Sequence, residues 1–187
     1  MEGLNLFESN ILLWIQENLR TDAFDFLMPY VSAVNNAGLL SILAVILLIA
    51  WAKYRKVGVT AFLSLAAEAF IVNVLLKNCT ARTRPYVVNE SLLLLGHIPG
   101  DFSFPSGHTG AAFAVATVLL LYGKDGSIPK TCAVWAVAAA VLIAVSRLYN
   151  AAHYPTDVLA GMLIGMLTGV LAYKLISVYG LKRKLGD

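Results

Sequence analysis

Residues 26–52 read FLMPYVSAVNNAGLLSILAVILLIAWA, with no charged side chain among them, and the most apolar part runs from Gly38 to Ala52. A helix needs roughly 20 apolar residues to cross about 30 Å of hydrocarbon, so this run reads as a membrane span. Four further stretches share its character: 57–76, interrupted only by Glu68, then 109–123, 131–146 and 158–173, the last continuing past Lys174 to Leu181. Several of these cores fall short of a full span. Flanking residues add a turn at each end, and Lys174 can snorkel to the interface. A sixth stretch at 23–34 is weakened by Asp25 and Pro29. The expectation is an all-α, polytopic transmembrane helical bundle of five to six spans.

Composition agrees. Of 187 residues, 59% are hydrophobic and 13% charged, against roughly 25% charged in a soluble domain. Most of the charge sits in short clusters between uncharged stretches, which excludes a soluble enzyme, a disordered chain and a nucleic-acid-binding domain. Cys79 and Cys132 lie far apart without metal-ligand spacing, so they indicate neither a zinc site nor a disulfide framework. The chain begins Met1-Glu2 without a basic leader, and its first apolar run, Ile11 to Ile15, is too short for a removable signal. Leu4, Phe7, Ile11, Leu12, Trp14, Ile15 and Leu19 fall near helical spacing, with Glu8 intruding on their face. That pattern suits a helix at the membrane interface, or one packed on the bundle. One domain is expected over residues 1–187, with interfacial or packing helices in 1–35 and the transmembrane core in 36–181.

Basic residues orient the spans. Lys53, Arg55 and Lys56 precede the second span, Lys124 and Lys130 separate the third from the fourth, and Lys182, Arg183 and Lys184 follow the fifth. With alternating crossings these clusters share one side, expected to be cytoplasmic. The opposite, extracytoplasmic side receives Arg20, Lys77, Arg82, Arg84 and Arg147, with Asp101, Asp157 and every histidine: His97, His108 and His153. In the last span Gly161, Gly165 and Gly169 recur every fourth residue, a face that lets another helix approach closely. The spacing leaves open a neighbour in the same chain or a homo-oligomer through that face.

Three clusters on the outer side carry chemistry. Lys77 to Pro85 (KNCTARTRP) ends the second span; alone it also fits interfacial anchoring by basic side chains. Phe104-Pro105-Ser106-Gly107-His108 precedes the third span; alone it also fits an ordinary helix cap, while its exposed N–H groups suit an anion that Gly107 lets approach. Ser146 to Asp157 (SRLYNAAHYPTD) joins the fourth and fifth spans. Asp157, four residues after His153, is expected to accept from one ring nitrogen and leave the other as an outward lone pair, the form of an oriented nucleophile. A capping Asp beside a surface His is the plainer alternative. Converging on one face, Lys77, Arg84 and Arg147 would repel one another unless a multiply charged anion such as phosphate or diphosphate sat among them. No carboxylate cage for a metal is expected, so the protein itself must neutralise charge developing in the transition state.

Lys-x6-Arg-Pro, Pro-Ser-Gly-His and Ser-Arg-x5-His-x3-Asp, in order over residues 77–157, together resemble the signature of the type 2 phosphatidic acid phosphatase family, whose superfamily includes bacterial acid phosphatases and vanadium-dependent haloperoxidases. The resemblance implies a helical bundle and phosphohydrolase chemistry through a phosphohistidine, without metal or cofactor. By position, His153 resembles the nucleophile and Asp157 its orienting partner. His108 resembles the acid for the leaving oxygen and then the base for water. Lys77, Arg84, Ser106, Gly107 and Arg147 resemble the phosphate-binding set.

The implied partners are the bilayer and a membrane lipid substrate, with a multi-pass position in the plasma membrane. Undecaprenyl diphosphate leads, with phosphatidylglycerophosphate and phosphatidate as alternatives. A haloperoxidase fits poorly with a membrane-embedded chain. From another class, a non-catalytic lipid-phosphate binding or transport protein would have no need of a nucleophile. His97 reads as a plain loop residue and Arg82 as a solvated charge. Mid-span Glu68 is expected to be protonated and hydrogen-bonded inside the bundle near Asn73, because an ionisable group at that depth is costly; a proton or ion pathway is the other reading.

Overall fold

The computed structural model describes residues 2–185, and side chains over residues 3–177. The described residues form helices and connecting turns without strands: α1 Glu2–Asn18, α2 Asp22–Ala33, α3 Leu39–Ala50, α4 Arg55–Ala69, α5 Lys77–Thr80, α6 Pro85–Val88, α7 Gly107–Lys124, α8 Lys130–Tyr149 and α9 Pro155–Leu185. Between α4 and α5 the backbone continues as a π-helical stretch, Phe70–Leu76, so helix runs unbroken from Arg55 to Thr80 and contains an apolar window long enough to cross a membrane.

The uncharged run over 26–52 does not form one straight helix. It bends by 42° between Asp22–Ala33 and Asn36–Ala50. Asn35 causes this locally: its Oδ1 accepts from Ser41 N at 3.2 Å and so offers the backbone an alternative to continued helix. Ala37 and Gly38 then take left-handed φ values of 50° and 72°. Among the described residues, three helical segments are long and apolar enough to cross a membrane, or four if this bent pair counts as one. The five to six spans expected from sequence are not reached by that measure. The stretch at 109–123 is α7, the central helix, which buries most of its residues against α4, α8 and α9.

Small residues line the interior and large apolar ones the outside, the inverse of a soluble bundle. Ala112, Ala116, Ala140 and Ala144 pack with Phe113, Ile143 and Val158, while Phe62, Trp135, Leu163 and Leu167 are exposed on outer faces. Helices in lipid gain by close packing rather than by hiding apolar surface from water.

The glycine stripe of α9 is occupied within the chain. A Cβ at Gly161 would lie 2.4 Å from Ser106 O, and one at Gly165 2.3 Å from Gly110 O, so α7 lies directly on this face. That answers the question the spacing left open. The face offered for a homo-oligomer, Gly161, Gly165 and Gly169, is thus taken up by a packing contact between α7 and α9 within the chain.

The two ends of the bundle differ chemically. At one end, Tyr122 bonds Thr60 at 3.0 Å, Tyr173 donates to Asp125 at 2.9 Å, and Lys56 sits over the Tyr122 ring. The basic clusters at 53–56 and 124–130 therefore share this end, as alternation required. Lys182, Arg183 and Lys184 lie outside the residues whose side chains are described. At the other end, Leu12 of α1 packs with Leu92, Ala151 and Tyr154 beneath the three motif clusters.

Candidate active site

Lys77 opens the single turn of α5, and Ala81, at φ 46°, ends it. Arg84 precedes Pro85, which starts α6 with its preset φ. Ser106 caps α7, Arg147 lies in the last turn of α8, and Asp157 in the first turn of α9. Ala151 turns at φ 53° between α8 and α9 and brings His153 back under the loop that precedes α7.

His153 is almost fully buried, and its Nδ1 lies 2.8 Å from Ser103 O. A carbonyl oxygen only accepts, so Nδ1 carries the proton and Nε2 keeps its lone pair in the neutral ring. That lone pair faces Arg84 Nη1 at 3.2 Å. Burial, and then the charges of Arg147, Arg84 and Lys77, push the His153 pKa well below the ordinary 6.5, against the opposing pull of the Ser103 carbonyl. The imidazole is thus neutral at neutral pH.

The expected direct bond from Asp157 to His153 is not what forms. Asp157 Oδ2 is 3.6 Å from His153 Nδ1, beyond hydrogen-bond range. Oδ2 accepts instead from the Ser103 hydroxyl and from Tyr154 N at 2.9 Å. Oδ1 takes a charged bond from Arg82 Nη1 at 2.5 Å. Ser103 thus stands between the two, with its hydroxyl on Asp157 and its carbonyl on His153.

Arg82 is therefore not a solvated charge. It is buried, stacks 4.0 Å from the Tyr154 ring centroid, and pairs through Nη2 with Glu8 at 2.5 Å. Glu8 in turn accepts from Thr156 N at 2.6 Å. The carboxylate that spoiled the amphipathic pattern of α1 is the sequence signal for this network, since a buried charge requires a partner.

Around His153 stand the three expected cations. Arg84 donates to Asp101 O at 2.9 Å through Nε, to Ala152 O at 2.7 Å through Nη1, and to Asp101 Oδ1 at 2.6 Å through Nη2. Lys77 also pairs with Asp101. Asp101 had no assigned role in the sequence. Burial raises its pKa, but bonds and charges from Lys77 and Arg84 outweigh this and hold it at about 2. Arg147 is buried, donates to the Ser32 hydroxyl, and leaves Nε without a partner.

Ser106 is fully buried, with Oγ 3.0 Å from Thr109 Oγ1. Its carbonyl accepts from Gly110 N, so the N–H groups of Gly107, His108 and Thr109 precede the first intrahelical bond. His108 Nε2 lies 2.8 Å from Asn36 Oδ1, and Asn35 donates to its main-chain oxygen at 3.0 Å. His108 borders two openings. One is a cleft with Lys77, Asp101, Gly107 and Glu68; the other is a smaller recess with Arg147, Asn150 and exposed His97.

The expected Glu68 hydrogen bond with Asn73 does not form. Glu68 is buried with Oε1 unpartnered, and its carboxyl occupies the space that a side chain at residue 110 would need. Asn73 turns its Oδ1 toward Gly107 instead.

The sequence pattern of the PAP2 superfamily matches residues 57–179. The chain belongs to the PAP2 superfamily. It is 32% identical over 137 residues to an undecaprenyl-diphosphatase of Sulfolobus acidocaldarius, covering 73% of this chain and 64% of that one. A PAP2-type phosphatidylglycerolphosphate phosphatase from Bacillus subtilis superposes with a TM-score of 0.75 at 23% identity, covering 94% of this chain and 87% of that one. LpxE of Aquifex aeolicus superposes with a TM-score of 0.73 at 25% identity, covering 88% and 93%. The all-helical PAP2 architecture expected from the motifs is thus shared, and the motifs at 77–157 lie inside the matched region.

Proposed function

We propose that the chain is a metal-independent membrane phosphatase that hydrolyses the phosphate or diphosphate of a lipid, through a phosphohistidine on His153. Undecaprenyl diphosphate is the leading substrate, supported by the Sulfolobus relative named for that activity. The observation that carries the reading is the His153 tautomer. With Nδ1–H given to Ser103 O at 2.8 Å, a lone pair is left on Nε2 beside the cations Arg84 and Arg147, where a phosphoryl group would be drawn.

In the first step His153 Nε2 attacks phosphorus, the bond to the leaving oxygen breaks, and His108, protonated once the bound anionic substrate offsets the surrounding cations, gives that oxygen a proton and is left neutral. In the second, His108 takes a proton from water, the hydroxide attacks phosphorus, and the P–N bond breaks to return neutral His153. Lys77, Arg84, Arg147, Ser106 and the N–H groups of Gly107 and its neighbours hold the equatorial oxygens. Phosphoryl transfer asks mainly for positioning and charge stabilisation, which this set supplies. Asp157 acts through Ser103. The site faces the extracytoplasmic side of the plasma membrane, opposite the basic end at Lys53 to Lys56 and Lys124 to Lys130.

The test is phosphate release by detergent-solubilised protein from a panel of lipid phosphates and diphosphates, compared with His153→Ala. Turnover by wild type and none by the variant is expected. Equal release by both would remove His153 from the chemistry. Tight binding of lipid phosphate without release would leave a binding protein. Phosphatidylglycerophosphate and phosphatidate in the same panel decide the lipid.

A further inference from the structure

Asp101 stands where a ligand's oxygens belong. One carboxylate oxygen pairs with Lys77 and the other lies 2.6 Å from Arg84 Nη2. Two phosphoryl oxygens would divide themselves between the same two cations in the same way. Lys77 and Arg84 are buried, whereas the Asp101 side chain is 50% exposed. The loop is fastened separately by its backbone: Arg84 Nε donates to Asp101 O, and Ser103 N donates to Arg82 O, both at 2.9 Å. The carboxylate can therefore swing into water by side-chain rotation while the loop stays in place. Arg147, without a carboxylate partner, remains available to an incoming anion.

We propose that Asp101 is a resident anion that screens ligands by charge, yielding Lys77 and Arg84 to a terminal phosphate or diphosphate and keeping them from a phosphodiester. The proposal rests on the phosphate-site reading above. Exchanging a carboxylate for a singly charged phosphodiester leaves the local charge unchanged and gives up two ion pairs already made. A terminal phosphate carries roughly −1.5 to −2 at neutral pH, and a diphosphate more, so the exchange leaves net attraction to the three cations. Phosphodiesters are the common headgroups of a bilayer. A site at its surface gains specificity by rejecting them, and a built-in competitor does so without a steric barrier.

Thermal unfolding of the solubilised protein, in a phosphate-free detergent, reads binding without turnover. The probes are inorganic phosphate and dimethyl phosphate at neutral pH. Wild type is expected to gain stability from phosphate and none from dimethyl phosphate. Asp101→Asn should respond to both, with the half-saturating phosphate concentration lowered about fivefold, the upper end of the scale for a partly exposed ion pair. Asp101→Ser should show the same gain, and Asp101→Glu should restore rejection. Uncharged variants that bind phosphate yet still ignore dimethyl phosphate would overturn the proposal, as would a wild type that answers both anions. Loss of hydrolysis with these shifts intact would count against the proposed chemistry and leave the charge screen standing. A wild type blind to phosphate would sink both.

Discussion

His153 donates its Nδ1 proton to the main-chain oxygen of Ser103 at 2.8 Å, not to the carboxylate of Asp157. The tautomer is therefore set by backbone, which a substitution at Asp157 does not remove. Where a carboxylate alone holds the catalytic histidine, replacing it by the amide costs about 10⁴ in kcat through the wrong tautomer. Asp157→Asn should lose much less, roughly 10–10², while His153→Ala loses all turnover. Steady-state kcat for both variants checks this, and a loss at Asp157→Asn matching that at His153→Ala would show that Ser103 O does not hold the ring.

The depressed His153 pKa has a consequence for stability. The folded protein holds this ring neutral below its ordinary 6.5, whereas the unfolded chain takes up a proton there. The contribution is fully present above about pH 6.5 and is lost as pH falls from there toward the folded pKa. The thermal midpoint should fall between pH 7 and pH 5, and His153→Gln should flatten that decline. An unchanged slope in the variant would place the linkage elsewhere.

Glu8, Arg82 and Asp157 form a buried chain of charges joining α1 to the site. Removing one member leaves its partner charged and unsatisfied, a loss of about 3–5 kcal/mol for a buried pair. Glu8→Ala should be destabilising on that scale. Glu8→Ala combined with Arg82→Ala should cost less than the sum of the two single changes, because the residues share one interaction. A double-mutant cycle by thermal or denaturant unfolding measures the coupling, and additive losses would contradict it.

Chelation and vanadate bear on the proposed chemistry. EDTA should leave phosphate release unchanged, since three protein cations are assigned the charge-stabilising role. Vanadate should inhibit, because its trigonal-bipyramidal form matches the transition state. Inhibition constants for His153→Ala are replaced by direct binding measurements, as that variant should not turn over. Activity lost on chelation and restored by a divalent ion would refute the metal-free mechanism.

Much of the site was legible because its residues sit where chain-local rules act. Pro85 and Pro155 mark helix starts, Gly107 marks a helix N-terminus, and the cations and histidines lie at the ends of apolar runs. Asn35 was harder to read, since only its bonds to Ser41 and to His108 O show why the run over 26–52 bends. Asp101 offered no signal at all, because a lone loop carboxylate is ordinary until Lys77 and Arg84 are brought to it.

By itself the sequence determined that this is a membrane-embedded helical chain whose histidines and motif cations gather at the end opposite its basic clusters. Hydropathy and charge placement act along the chain, so no tertiary knowledge is needed to read them. Only the tertiary structure decided partners: Asp157 with Arg82 and Ser103, Glu8 with Arg82 and Thr156, the Gly161 and Gly165 face with α7. The physical reason is that a buried charge or a close backbone approach is satisfied by whatever lies within about 3 Å, and Glu8 and Thr156 meet across 148 residues of chain. No spacing along the sequence encodes that distance.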